Sequence, residues 1–139
     1  MRRIILASHG KLAEGMKDAA KLITGDLAET IETYCLMPGS APLDYATQLQ
    51  EEITNNQDVE FVIVTDLYGA SVCSAMYPLT FYPNVKLFTG LSLPIVLNLL
   101  LSYTEQLNPS SIQEILQESK EGIKFIVAQS NVEQVENDF

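Results

Sequence analysis

The chain of 139 residues contains one histidine. His9 follows the apolar run Ile4-Ile5-Leu6-Ala7 and stands between Ser8 and Gly10, where a strand gives way to a loop. A histidine can serve there as nucleophile or base if a carboxylate holds one ring nitrogen. That hydrogen bond fixes the tautomer and leaves the other nitrogen free. The carboxylate placed to do so is Asp66, which ends a second apolar run, Phe61-Val62-Ile63-Val64-Thr65, and leads into Leu67-Tyr68-Gly69-Ala70-Ser71. Gly69 permits a tight turn and a close approach of backbone. The amides of Gly69, Ala70 and Ser71, opening a helix, can cradle an anion. Histidine, carboxylate and anion cradle together suit a phosphoryl group taken up on His9 and passed on. Such transfer depends mainly on positioning and charge stabilisation.

Each residue also has a plainer reading. A lone histidine at a strand end can be structural or merely exposed. An aspartate there commonly caps the next turn. Gly69 and Gly90 are turn glycines, and Ser71 is a helix N-cap, a role compatible with phosphate binding. What links them is their common position at strand ends.

Those ends require a particular frame. Residues 2–8, 30–36, 60–67, 84–90 and 123–129 read as strands, with apolar runs typical of buried sheet. Between them, residues 11–25, 41–56, 71–79, 92–103 and 110–122 read as helices from their apolar spacing. Pro42 suits a first helical turn, and Ser110 or Ser111 is the candidate cap of the last helix. Alternation of this kind predicts an α/β fold: a doubly wound, mostly parallel sheet covered by helices on both faces. Ligands of such sheets bind beyond the carboxyl ends of the strands, where strand order reverses. The ends at His9, Asp66 and Thr89-Gly90-Leu91-Ser92 are therefore expected to converge.

Length and composition narrow the function classes. The chain suits one domain, read as residues 1–130 followed by a polar, acidic tail at 131–139. Eighteen acids against eight bases give a net charge of -10. Without clustered Lys and Arg, neither nucleic acid nor an anionic membrane is an expected partner. The acid excess suits solubility or the attraction of a basic protein. No signal peptide or membrane span is read: the longest apolar stretch, 91–101, is interrupted by Ser92, Pro94 and Asn98. Cys35 and Cys73 form no framework or metal-ligand spacing and read as packing residues in a reducing cytoplasm.

The chain resembles the IIA domain of the mannose-family sugar phosphotransferase system (PTS) over nearly its whole length. Three stretches carry the likeness: "IILASHGKLAEGM" (4–16), "VIVTDLYGASVCSA" (62–75) and "LFTGLSLPIVLNLL" (87–100). The resemblance implies that His9 carries the phosphoryl group, that Asp66 is its partner and that Ser71 lies beside the phosphate. It implies a homodimer formed by exchanging a C-terminal strand, here residues 123–129. It also implies a phosphocarrier protein, HPr, as donor and a IIB component as acceptor, with membrane IIC and IID components taking in the sugar. No metal or organic cofactor is implied. Ala70 departs from the family's usual glycine, Val72 from its proline and Ser92 from its asparagine. Two related readings stay open: a regulatory module of the same fold, and the phosphotransfer subunit of dihydroxyacetone kinase. A nucleotide- or flavin-binding domain is a third, but the glycine-rich loops that mark it are missing from the sequence.

Overall fold

A computed structural model describes residues 1–128. Four strands, β1 (Arg2–His9), β2 (Glu32–Leu36), β3 (Glu60–Thr65) and β4 (Val85–Thr89), form one sheet in the order β2-β1-β3-β4. All three pairings are parallel. Parallel neighbours cannot be joined by a hairpin, so a helix intervenes at each step. These helices are α1 (Leu12–Thr24), α2 (Pro42–Asn55) and α3 (Ser71–Met76); α4 (Leu93–Leu97) and α5 (Pro109–Glu121) follow the last strand of the sheet.

Period-two alternation along the strands divides the core in two. Ile4, Leu6, Val62, Val64 and Phe88 pack under α1, α4 and α5 through Ala13, Ala20, Ile95, Val96 and Ile115. Ile5, Phe61, Ile63 and Val85 pack under α2 and α3 through Ala46, Leu49, Ile53, Ala75 and Met76. Both faces of the sheet are thus covered, as continuous apolar strands require. From β1 the chain moves outward to β2. It then returns to the other side of β1 for β3 and continues outward to β4. The switch point lies between β1 and β3.

The amino-terminal end of the sheet is tied by Arg2. Its Nε donates to Glu60 Oε1 at 2.7 Å, and its remaining nitrogens donate to the carbonyls of Leu99, Tyr103 and Glu105. The backbone N–H of Leu107 donates to the other Glu60 oxygen. One of these acceptors lies in a π-helical turn, Asn98–Ser102, that continues α4. The wide turn and the residues after it leave carbonyls that the planar guanidinium can fork across.

Several expected elements differ from their sequence reading. The helix at 71–79 ends at Met76, and a 3-10 turn (Tyr77–Phe81) follows with Pro78 in its first turn. Proline lacks the N–H that would continue the α-helix. The helix at 92–103 splits into α4 and the π-turn. The cap of α5 is Asn108, not Ser110 or Ser111. Asn108 Oδ1 accepts the Ser111 N–H, and the Ser111 hydroxyl accepts the Asn108 N–H, with Pro109 at the first helical position.

The expected strand at 123–129 has no ladder among the described residues of the single chain. Residues 123–128 form no strand, and Ile123, Phe125 and Ile126 are exposed. A strand exists only through the partner that completes its hydrogen bonds, and this segment meets none among the described residues. Residue 129 and the tail at 131–139 lie outside the described residues.

Candidate active site at the sheet switch point

His9 ends β1, and Asp66 follows the last residue of β3. The ladder between these strands closes with Ala7 opposite Thr65. Continuing the strands past that pair brings the two residues together at the switch point, although 57 positions separate them in the chain. Asp66 Oδ2 lies 2.9 Å from His9 Nδ1 and also accepts the His9 backbone N–H at 2.8 Å. Asp66 Oδ1 accepts the Leu67 N–H at 3.0 Å. An ionised carboxylate only accepts, so the ring nitrogen facing it carries the proton. Nε2 makes no hydrogen bond among the described residues. The His9 side chain is 43% exposed, whereas that of Asp66 is 8% exposed. The ring is thus open to an incoming group while its carboxylate is shielded.

Burial by itself would raise the Asp66 pKa. The backbone and side-chain hydrogen bonds from His9, with the charge of its ring, outweigh burial and hold the carboxyl below its ordinary value. Asp66 therefore stays ionised at neutral pH, as a counter-charge to an imidazolium must.

Two glycines with positive φ shape the backbone around the pair. Gly10, immediately after the histidine, has φ +55 and donates its N–H to the Leu36 carbonyl at 2.8 Å, tying the turn to β2. Gly69 has φ +75, a left-handed conformation that a side chain resists. Ala70 has φ -79 and ψ 171, ordinary extended backbone, so alanine sits there without strain where the family usually has glycine. Ser71 is exposed and opens α3, whose first turn closes with the Ser74 N–H on the Ala70 carbonyl. Val72, in place of the family's usual proline, is fully buried and anchors the start of α3 in the core. The third strand end is joined to the second by the Leu91 N–H on the Thr65 carbonyl at 3.0 Å. Ser92 precedes α4 in extended conformation and makes no side-chain cap bond.

Two features had no counterpart in the sequence reading. One is the second bond of Asp66, to the His9 backbone. The other is the side chain of Ser8, which is fully buried and bonds the Gly10 carbonyl and the Ala13 N–H. Its only sequence signal is a hydroxyl on the strand face where Ile4 and Leu6 are apolar. Around the site, Leu12, Met37, Leu43, Leu67 and Tyr68 are large exposed apolar side chains. Each follows the carboxyl end of β1, β2 or β3 in the chain.

Comparison with known proteins identifies relatives of the chain. The family model for the PTS system fructose IIA component, of the mannose type, matches residues 3–120. The sorbose-specific PTS IIA component of Klebsiella pneumoniae is 31% identical over 100 residues, covering 71% of this chain and 73% of its own. The crystal structure of a phosphotransferase system IIA component from Streptococcus agalactiae superposes with a TM-score of 0.76 at 26% identity. That match covers 90% of this chain and 97% of the other. The mannose/sorbose-specific IIA subunit from Enterococcus faecalis gives a TM-score of 0.78 at 21% identity, covering 93% and 97%, and shows the shared fold. The helix-covered parallel sheet, the matched length and the sequence likeness together place this chain in the mannose-type IIA family of the sugar phosphotransferase system, whose general role is to carry phosphoryl groups.

Proposed function

We propose that this protein accepts a phosphoryl group on His9 Nε2 from the phosphocarrier protein HPr and passes it to a IIB component for sugar uptake. The observation that carries the proposal is the pairing of Asp66 Oδ2 with both His9 Nδ1 and the His9 backbone N–H. It fixes the Nδ1–H tautomer and turns the Nε2 lone pair outward. In the forward step that lone pair attacks phosphorus. The donor's bond to phosphorus breaks and its electron pair returns to the donor. The ring becomes a phosphoimidazolium without releasing a proton, and its positive charge lies against Asp66. Attack on the phosphoryl group by the acceptor reverses the charge change.

Gly69, Ala70 and Ser71 hold the phosphoryl oxygens through their amides and the Ser71 hydroxyl. In support, the loop carrying them begins at Asp66, and Ser71 is exposed. The donor and acceptor are proteins that dock on the carboxyl end of the sheet. The exposed side chains of Leu12, Met37, Leu43, Leu67 and Tyr68 supply the apolar contact that such docking needs. The chain works in the cytoplasm as a homodimer in which residues 123–129 pair with a second copy. Exposure of Ile123, Phe125 and Ile126 in the single chain supports that pairing.

Intact mass after incubation with phosphoenolpyruvate, enzyme I and HPr tests the first half. One acid-labile phosphoryl group on the wild type, and none on His9→Ala, is expected. Labelling of His9→Ala would overturn the assignment. Loss of that label on adding the cognate IIB component tests the second half, and a label that persists would refute onward transfer.

A further inference from the structure

We propose that Ser8 is a positioning residue for His9, acting through the strand-to-helix turn that carries the ring; the inference rests on the carrier reading above. Ser8 lies on the sheet face occupied by Ile4 and Leu6 and is fully buried. A buried hydroxyl is costly unless its hydrogen bonds are made. Here both capacities are used. Ser8 Oγ accepts the Ala13 N–H at 2.7 Å and donates to the Gly10 carbonyl at 3.3 Å.

The first of these bonds does a job that α1 leaves open. Its N-cap residue, Lys11, makes no side-chain cap bond. An N-cap side chain ordinarily accepts the amide of the second or third helical residue. Ala13 is the second residue of α1, and Ser8 takes its amide from inside the strand instead. One hydroxyl therefore joins the end of β1, the turn at Gly10 and the first turn of α1. His9 sits between the residues so joined.

Two backbone amides also tie the turn: His9 N–H donates to the side-chain Oδ2 of Asp66 and Gly10 N–H to the Leu36 carbonyl, both at 2.8 Å. The exposed ring has Asp66 as its one hydrogen-bond partner among the described residues, so its place depends on the backbone below it. Without the Ser8 hydroxyl, the Ala13 N–H is buried with no acceptor and the Gly10 carbonyl is released. The turn then slackens, and the ring no longer holds its proton on Nδ1 in the fixed alignment that phosphoryl transfer needs.

The test compares Ser8→Ala and Ser8→Cys with wild type by two readouts. The first is single-turnover phosphoryl acceptance from phospho-HPr. The second is the ring 15N shifts of neutral His9, which report the tautomer and need no donor. Ser8→Ala is expected to slow transfer at saturating donor by roughly tenfold or more, with half-saturation changed by no more than about twofold. Its ring shifts should move toward a tautomer mixture. Ser8→Cys fills the space with a weaker hydrogen-bonding group and is expected to lie between the two, giving the reading should Ser8→Ala not fold. A variant that loses stability yet keeps the wild-type rate and tautomer would overturn the inference and leave Ser8 a purely structural cap. If wild type accepts no phosphoryl group, the carrier reading falls, while the tautomer comparison still decides whether Ser8 positions the ring.

Discussion

Asp66→Asn replaces the carboxylate by a group of nearly the same shape without the charge. The wild-type side chain accepts three hydrogen bonds: the His9 N–H and ring N–H on one oxygen, and the Leu67 N–H on the other. Asparagine has one acceptor oxygen. If that oxygen faces His9, the amide group opposes the Leu67 N–H, donor against donor. The bonds that survive lose their charge assistance, which makes such bonds about twice as strong as neutral ones. A stability loss of ~1–3 kcal/mol at neutral pH is expected from bonds of ~1.5–3 kcal/mol to a charged acceptor, partly retained. On the proposed mechanism the effect on transfer is larger, because the phosphoimidazolium would lose its counter-charge. A fall of roughly 10²–10⁴-fold corresponds to about 3–5 kcal/mol of transition-state stabilisation.

The pH dependence gives a second handle on the same variant. The folded Asp66 carboxyl titrates below its ordinary value, since the His9 bonds outweigh burial. A depressed folded pKa stabilises the protein above the unfolded value, near 4 for aspartate, and that contribution is lost as pH falls through the folded value. The stability gap between wild type and Asp66→Asn should therefore narrow as pH falls below about 4. Urea denaturation at several pH values measures the gap, and rapid-quench transfer from phospho-HPr measures the rate. A transfer rate within about twofold of wild type would remove Asp66 from the chemistry. A gap that does not narrow below about pH 4 would show that the carboxyl is not held low.

His9→Ala should abolish phosphoryl acceptance, with thermal unfolding changed by less than that of Asp66→Asn, because the ring is exposed and makes one bond. Gly69→Ala meets open space but must hold φ +75, so it is expected to lose ~1–2 kcal/mol in denaturant titration; Ala70→Gly, at an ordinary φ, should lose less than that. Arg2→Lys keeps the charge but not the fork across three carbonyls, and a loss of about 2–4 kcal/mol is expected by denaturation. Phe125→Asp places a charge in the exposed apolar segment, and sedimentation should show more monomer than in wild type; an unchanged dimer would exclude this segment from the contact.

The parts of the fold that the sequence discloses are those governed by local pattern. Runs such as Phe61–Thr65 can bury themselves only in a covered sheet, and the helical spacing between them forces parallel crossovers. The switch-point rule then brings His9 to Asp66 without any knowledge of distance. What escaped is decided by partners rather than patterns. Residues 123–128 have strand composition, but composition cannot supply the neighbour that a ladder needs. The cap of α5 was misplaced among polar residues, although Pro109 is well suited to the first helical position and so points to Asn108 before it. Ser8 carries no signal of its own, because a serine on an apolar strand face reads as an interruption and only the fold brings the Ala13 amide to it.

The fork of Arg2 has a consequence for how the chain comes together as it is made. The guanidinium belongs to the second residue, yet its acceptors lie 58, 97, 101 and 103 positions downstream. During synthesis from the N-terminus, Glu60 emerges first and can neutralise the charge once β1 and β3 pair. The three carbonyls arrive only after the π-turn and the loop beyond it have left the ribosome. In a nascent chain halted before residue 99, Glu60 is the one of these partners that this guanidinium can meet, and its other donors stay with water. Completion of the Arg2 fork therefore waits on the segment leading into α5.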